Sequence, residues 1–251
     1  MPKVTLLHYT GKGAAGGSES EYAARLLAFT KNTRLSMTPE GLDAWLVKPW
    51  AEIIPELEYM AGTIPSSWEF VDLTFSIERL SRATAQQVTR TRNASYAMQS
   101  QRVTDMSGVT WDVPPTAQYK PGQWNAWMEE NCQNYDNALQ CNVSLEDARD
   151  LLPMGVHCNL IAKYNLRSLV ELVQKRDSLR VQGPYVDIVS QMKAETLKCW
   201  PWAATFFEPK NAKAIRMIEE VAKKLMKNYE HPYDEEAKQL AKAIDLIKAA
   251  G

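Results

Sequence analysis

The chain has 251 residues, 45% of them hydrophobic and 24% charged, with a net charge of −1. This length supports one large domain or two small ones, and the near-neutral balance excludes a global pull toward nucleic acid or a membrane, so any anion site must come from local clusters. No apolar run approaches the roughly 20 residues that span a bilayer, and the opening MPKVTLLHYTGKG reads as a first strand rather than a signal peptide.

Residues Lys3 to Tyr9 alternate and lean toward a strand. Gly11 to Gly17 is a glycine-rich turn in which Gly17 occupies the place where a phosphate-cradling loop needs lysine. Ser18 and Glu21 form a capping-box pattern that starts a helix near Glu19. Leu42 to Met60 has helical texture interrupted by Pro49 and Pro55. Phe70 to Ile77 reads as a strand, and Ser81 to Arg92 as a helix without Gly or Pro. Gly108 to Gly122 is a proline-rich loop, and Trp124 to Leu139 is helical again. Ser144, with Asp147 three residues on, opens a further helix. Leu166, Leu169, Val170 and Val173 then mark one apolar helical stripe. Pro184 breaks the chain before a helix over Val186 to Cys199. Asn211 caps a last helical pair, divided at His231 to Asp234, with Ile215, Ile218, Val221 and Leu225 on one face and Leu240, Ile244 and Ile247 on another. The pattern is α+β, helix-rich with few strands, and divides into a body over residues 1–210 and a C-terminal helical pair over 211–251. The pair's apolar stripes predict that it packs against the body or a neighbouring subunit.

Cys132, Cys141, Cys158 and Cys199 make no CxxC pair, and their spacing fits neither a zinc site nor a dense disulfide framework. They predict a reduced, intracellular protein. His8, His157 and His231 lie far apart in sequence, which argues against a histidine-centred triad or a multi-histidine metal site, and no metal is expected.

Chemistry concentrates between Arg79 and Arg102. These 24 residues hold Arg79, Arg82, Arg90, Arg92 and Arg102 and no Asp, Glu or Lys. Such a run is either a solvated face with internal ion pairs or an anion site, since the planar guanidinium fork grips phosphate bidentately. A second cluster holds Arg149, Asn165, Arg167, Lys175, Arg176 and Arg180. Within it Arg167 and Glu171 share a helix face, which taken alone reads as a surface salt bridge. Two arginine-rich segments suit a dinucleotide cofactor plus a mononucleotide. Nucleic acid is a poor rival ligand in a slightly acidic chain with no lysine-rich arm, and Trp124, Trp127, Trp200 and Trp202 read as core or interface residues.

The stretch Arg90 to Arg102, RTRNASYAMQSQR, resembles the signature RHRxxSxNExSxR of flavin-dependent thymidylate synthases. Arg90, Arg92, Ser95, Ser100 and Arg102 stand at matching places, and Gln87 matches the lead-in helix. Asp147 to Pro153 resembles the family's DARxxLP segment, Asn165 to Leu169 its NxRSL segment, and Lys175-Arg176-Asp177 its later arginine. The order and separations agree over residues 3–207. The resemblance implies a helix-flanked, mostly antiparallel β-sheet and a cytoplasmic homotetramer, in a bacterial cell or phage-infected host, with active sites shared between subunits. It implies bound FAD reduced by NADPH, and transfer of a one-carbon unit from methylenetetrahydrofolate to dUMP, giving dTMP. By position, Gln87, Arg90, Met98, Gln99, Ser100, Gln101, Arg102, Arg149 and Arg176 would hold the nucleotide. Ser66, Arg90, Thr91, Arg92, Asn165, Arg167 and Glu171 would face FAD. Arg176 would be the catalytic group, stabilising negative charge on the pyrimidine. Ser100 reads as a ligand contact, since no base stands beside it in sequence, and none of the cysteines matches the cysteine-dependent thymidylate synthases.

The sequence departs from the signature where Thr91 replaces histidine, Ala97 asparagine and Met98 glutamate. Glu171 stands where asparagine is usual, and Arg180 where histidine is common. Two other readings therefore stand beside thymidylate synthesis. One is a relative making a hydroxymethylated or methylated pyrimidine nucleotide from dUMP or dCMP. The other is a non-catalytic nucleotide- or flavin-binding module.

Overall fold

The amino-terminal alternation forms strand β1 (Lys3–Tyr9), with Val4 buried. The computed structural model describes residues 1–14, 18–33, 37–176 and 183–208. Residues 15–17 of the glycine-rich turn, Arg180 and the helical pair expected from Asn211 onward lie outside the described residues. Helix α1 (Glu19–Thr30) begins where the sequence predicts, but not through a capping box. The Ser18 side chain makes no cap bond: the Glu21 N–H donates to the Ser18 carbonyl at 2.9 Å, and the Glu21 carboxylate accepts a 2.6 Å hydrogen bond from Arg25 one turn on.

The span read as one interrupted helix is two, α2 (Pro39–Leu46) and α3 (Trp50–Thr63), parted before Pro49. Pro55 does not break α3. It sits on the exposed side, where water can solvate the freed carbonyl, while Ile53, Leu57 and Met60 are buried on the other. A 3-10 turn over Pro65–Phe70 delays β2 to Asp72–Ser81, so Phe70 is not in the strand. Helix α4 is short, Arg82–Val88, and is capped by Ser81, whose Oγ accepts the Thr84 N–H at 3.1 Å. It stops before Arg92 because the chain turns into β3 (Ala94–Met98), and the Tyr96 hydroxyl lies 3.0 Å from both the Val88 and the Thr91 carbonyls.

Next come α5 (Pro121–Gln140) and α6 (Leu145–Ala148), a 3-10 turn over Arg149–Leu151, β4 (His157–Asn165), α7 (Leu166–Arg176) and α8 (Pro184–Cys199). Ser144 caps α6 as expected, accepting the Asp147 N–H at 3.2 Å, but that helix lasts one turn before tightening. Pro184 opens α8 instead of preceding it, since proline at the first helical position loses no hydrogen bond. Strands β3 and β4 have no counterpart in the pattern reading, although β4 alternates buried and exposed along Cys158 to Tyr164.

The strands form one antiparallel sheet in the order β1-β2-β4-β3, so the α+β expectation with an antiparallel sheet holds. Side chains on one face (Leu73, Phe75 and Ile77 of β2, Leu160, Ala162 and Tyr164 of β4) are almost fully buried. Each large one contributes about 1.5–3 kcal/mol by leaving water. Helix α8 packs on β1 and β2, and α7 packs on α8 and β4. The β2–β4 register shifts between Ile77 and Leu80, where Arg79 has φ 57° and its N–H donates to Asn159 Oδ1 at 3.1 Å. A satellite cluster of Met106, Tyr135 and Ala148 ties α5 and α6 to the preceding loop, with the Tyr135 hydroxyl accepting the Met106 N–H at 3.0 Å. The chain divides into two compact units, Met1–Ala203 and Ala204–Gly251. Among the described residues no helix is long and apolar enough to cross a membrane.

Candidate functional site

The turn between α4 and β3 carries Arg90, Thr91 and Arg92, and the β4–α7 junction carries Asn165 and Arg167. Pairing of β3 with β4 sets Ala94 opposite Tyr164, which brings both segments to one end of the sheet. Two adjoining clefts open there and share Arg92, Asn93 and Ser168. The larger, about 510 Å³, is also lined by Glu69, Asp72, Ser95, Lys163, Asn165 and Arg167. The smaller, about 340 Å³, is lined by Arg90, Thr91, Glu171, Lys175 and Arg176.

The clefts differ in how their cations are balanced. Arg167 donates to Glu171 Oε1 at 3.0 Å and to Glu69 Oε1 at 2.8 Å, and these two carboxylates raise its pKa further. Lys163 pairs with Asp72 at 2.9 Å. The expected Arg167–Glu171 pair is thus present, but inside the cleft wall. By contrast, Arg90, Arg92 and Arg176 form no ion pair among the described residues, and Lys175 stands 4.0 Å from Glu171. Among the described residues the smaller cleft therefore offers guanidinium groups with no carboxylate partner to an anion. Asn165 supports the site differently: its Oδ1 accepts the Ser168 N–H at 2.8 Å and caps α7.

Below the cleft lie three tyrosines. The Arg176 guanidinium carbon is 4.7 Å from the centroid of the Tyr185 ring. The Tyr96 and Tyr164 hydroxyls are 2.9 Å apart, and Tyr185 reaches Thr91 Oγ1 at 3.5 Å. Burial pushes the Tyr96 and Tyr164 hydroxyls above their ordinary pKa, so they stay protonated hydrogen-bonding groups.

The remaining expected residues lie elsewhere. Strand β3 carries the chain about 13 Å away from Ala94 by Met98, at 3.3 Å per residue. Gln99 is held by Asn159 there, its N–H donating to the Asn159 carbonyl at 2.9 Å and its Oε1 accepting the Asn159 N–H at 3.2 Å. Ser100 Oγ accepts the Arg102 N–H at 3.1 Å, Gln101 is buried, and Arg102 pairs with Glu146 of α6 at 3.0 Å. Arg149 follows α6 and stands 4.0 Å from Asp150. Within one copy, Met98 to Arg102 and Arg149 thus form a group apart from Arg90 and Arg176. Gln87 is exposed on α4 and Ser66 is exposed in the 3-10 turn, and neither lines the two clefts. Pattern reading missed Glu69, Asp72, Lys163 and Tyr185, which come from separate elements with no shared motif. For Lys163 the only signal was the alternation of Cys158 to Tyr164, which sets Asn159, Ile161 and Lys163 on the exposed face of β4.

A third cleft, about 270 Å³, lies beside Gln99 and includes Arg79, Thr110, His157 and Asn159. His157 Nδ1 is 2.8 Å from Thr110 Oγ1, and its Nε2 is 3.3 Å from Asp112. Burial, more than any charge, lowers the His157 pKa, although Asp112 opposes it. Among the described residues no group of three or more His, Cys, Asp or Glu side chains is placed to hold a metal ion.

The family model described as thymidylate synthase complementing protein matches residues 49–202, a span that contains every residue of the two arginine clefts. The chain belongs to this family. Among curated members, the flavin-dependent thymidylate synthase of Thermococcus onnurineus is 32% identical over 137 residues, covering 52% of this chain and 56% of that protein. The flavin-dependent thymidylate synthase of Pyrococcus furiosus is 34% identical over 137 residues, with the same two coverages, 52% and 56%. The chain thus spans about half the length of the curated thymidylate synthases it matches. Thymidylate synthase X of Helicobacter pylori, solved with FAD and dUMP, superimposes with a TM-score of 0.62 at 19% identity, covering 84% of this chain and 100% of that one. A UMP/dUMP methylase of Streptomyces cacaoi, solved with 5-bromo-dUMP, superimposes with a TM-score of 0.64 at 17% identity, covering 82% and 94%. At these identities the two structures establish the family's fold in this chain.

Proposed function

We propose that the chain binds FAD and transfers a one-carbon unit from methylenetetrahydrofolate to C5 of dUMP, with reduction to dTMP and NADPH as the electron source. The observation that carries this reading is the convergence of Arg90, Arg92 and Arg176, without carboxylate partners among the described residues, on a cleft continuous with a larger polar one. The names of the relatives and the FAD and dUMP in the Helicobacter structure support it. The residues present fit a dinucleotide: Arg90 and Arg92 supply forks for a pyrophosphate, and Asn165, Arg167 and Glu171 supply donors and acceptors along the adjoining wall. Thr91 lies between them. When bound, FAD supplies the hydride that converts the transferred carbon to a methyl group.

The chain's own part is electrostatic. Arg176 presents a permanently charged planar group to the pyrimidine N3 and its carbonyl oxygens, which stabilises negative charge there and makes C5 the nucleophile. Ser100 holds a ligand rather than attacking it, since its Oγ accepts the Arg102 N–H and, among the described residues, no base makes a hydrogen bond to it. The separation of Met98, Gln99, Ser100, Gln101, Arg102 and Arg149 from Arg176 supports a site completed by a second copy within a homotetramer, with Gln87 at the same seam. Such a reaction belongs in a cytoplasm, where reduced folate and nucleotide meet.

One observation favours a second reading, a pyrimidine modified differently. Met98 is a half-buried thioether where the signature carries a carboxylate, so base contacts there differ. The test is purified protein incubated with methylenetetrahydrofolate, NADPH and either dUMP or dCMP, followed by mass spectrometry. A flavin absorbance band and a methyl gain on dUMP are expected. A hydroxymethyl gain, or a product from dCMP alone, establishes the second reading instead. No flavin band and no product leave a binding module.

A further inference from the structure

Two arginines of α7 face the clefts and are held in opposite ways. Arg167 is fixed by two carboxylates, which balance its charge and take the Nε–H and one Nη1–H donor. Arg176, the last residue of α7, has no ion-pair partner among the described residues and lies over the face of Tyr185 at 4.7 Å. An aromatic face orients a guanidinium through its quadrupole while leaving the charge intact and the in-plane N–H donors unused. Those are the properties needed by a group that must answer charge developing on a bound ring.

Tyr185 is itself well supported. It is 3% exposed, at the start of α8, and so cannot swing away from the arginine. Its hydroxyl is 3.5 Å from Thr91 Oγ1, in the turn that bears Arg90 and Arg92. The same turn is held by Tyr96, whose hydroxyl meets the Val88 and Thr91 carbonyls and the Tyr164 hydroxyl. The tyrosine layer thus registers both cationic walls of the smaller cleft. At 3.5 Å the Thr91 contact is weak, so the ring face carries the larger share.

We propose that Tyr185 is the positioning residue for Arg176, acting through its ring face. The catalytic half of this proposal rests on the functional reading above, whereas the placement of the guanidinium does not. Full-length protein with isotopically labelled arginine tests the placement by NMR, the Arg176 Nε–H resonance being assigned by its loss in Arg176→Lys. An upfield ring-current shift is expected in the wild type, kept in Tyr185→Phe and lost in Tyr185→Met. An unshifted wild-type resonance overturns the proposal with no need for any tyrosine variant to fold. In turnover, Tyr185→Met is expected to lower kcat about tenfold while KM for dUMP moves less than about threefold, with Tyr185→Phe within about twofold of wild type. Wild-type kcat in a folded Tyr185→Met variant, or equal loss in Tyr185→Phe, overturns it. A shifted resonance in a protein that turns over neither dUMP nor dCMP overturns the functional reading and leaves the arginine placement standing.

Discussion

Arg102 and His157 show how a side chain's surroundings set its use. Arg102 is exposed and pairs with Glu146 at 3.0 Å, an arrangement that a phosphate can displace at little cost. Arg102→Ala is expected to weaken dUMP binding by about 1.5–3 kcal/mol, the scale of a hydrogen bond to a charged group. Calorimetric titration measures this, and unchanged affinity removes Arg102 from the site. His157 is buried between Thr110 and Asp112, with Arg79 and the N-terminal amine also acting on it. Its folded pKa lies below the ordinary 6.5 because burial disfavours the cation. The unfolded chain therefore takes up the proton first as pH falls. The stability His157 contributes is full above its ordinary pKa and drains away as pH drops below it. Thermal unfolding from about pH 7.5 to about pH 5 should show a steeper loss in wild type than in His157→Gln, and parallel curves would refute this account.

At the scale of elements, competition between local and distant partners decides most boundaries. The run Ser81 to Arg92 has helical composition, yet α4 ends at Val88 because Ala94 to Met98 find the open edge of β4. That pairing fixes where Arg90 and Arg92 project. Helix α7 begins where Asn165 caps it, so one residue both closes β4 and starts the helix that carries Arg167 and Arg176. Asn165→Ala should lower stability by about 1 kcal/mol, and Asn165→Asp should retain most of it, because the carboxylate can still accept the Ser168 N–H. Urea midpoints at constant m-value measure both, and an alanine variant as stable as wild type would show that the cap bond carries little energy.

For the whole molecule, the division of the proposed nucleotide contacts between two ends of the sheet makes a sharp prediction about assembly. Arg176→Ala should be inactive alone, and Arg102→Ala should lose most of its turnover at dUMP concentrations near the wild-type KM. Mixed after dissociation and reassembly, they should regain activity at roughly a quarter of the sites, the fraction in which random pairing joins two intact halves. No recovery would place both arginines in one copy's site. The sequence by itself determined the family, because Arg90 to Arg102 stands in register with the DARxxLP and NxRSL segments inside the span that the family model matches, whereas the run of five arginines without an acid left a solvated face and an anion site both open. It also determined the helical stripes, whose 3.6-residue period is a local property. Only the tertiary structure decided that β3 and β4 exist as strands, since their partners are distant in the chain and a strand's hydrogen bonds are made with its neighbours. The Arg167–Glu171 pair is legible in its i,i+4 spacing, but only the tertiary structure brought Glu69 to Arg167 and the Tyr185 ring to Arg176 from other elements, and the charge of a guanidinium as felt by a ligand depends on what stands beside it in space.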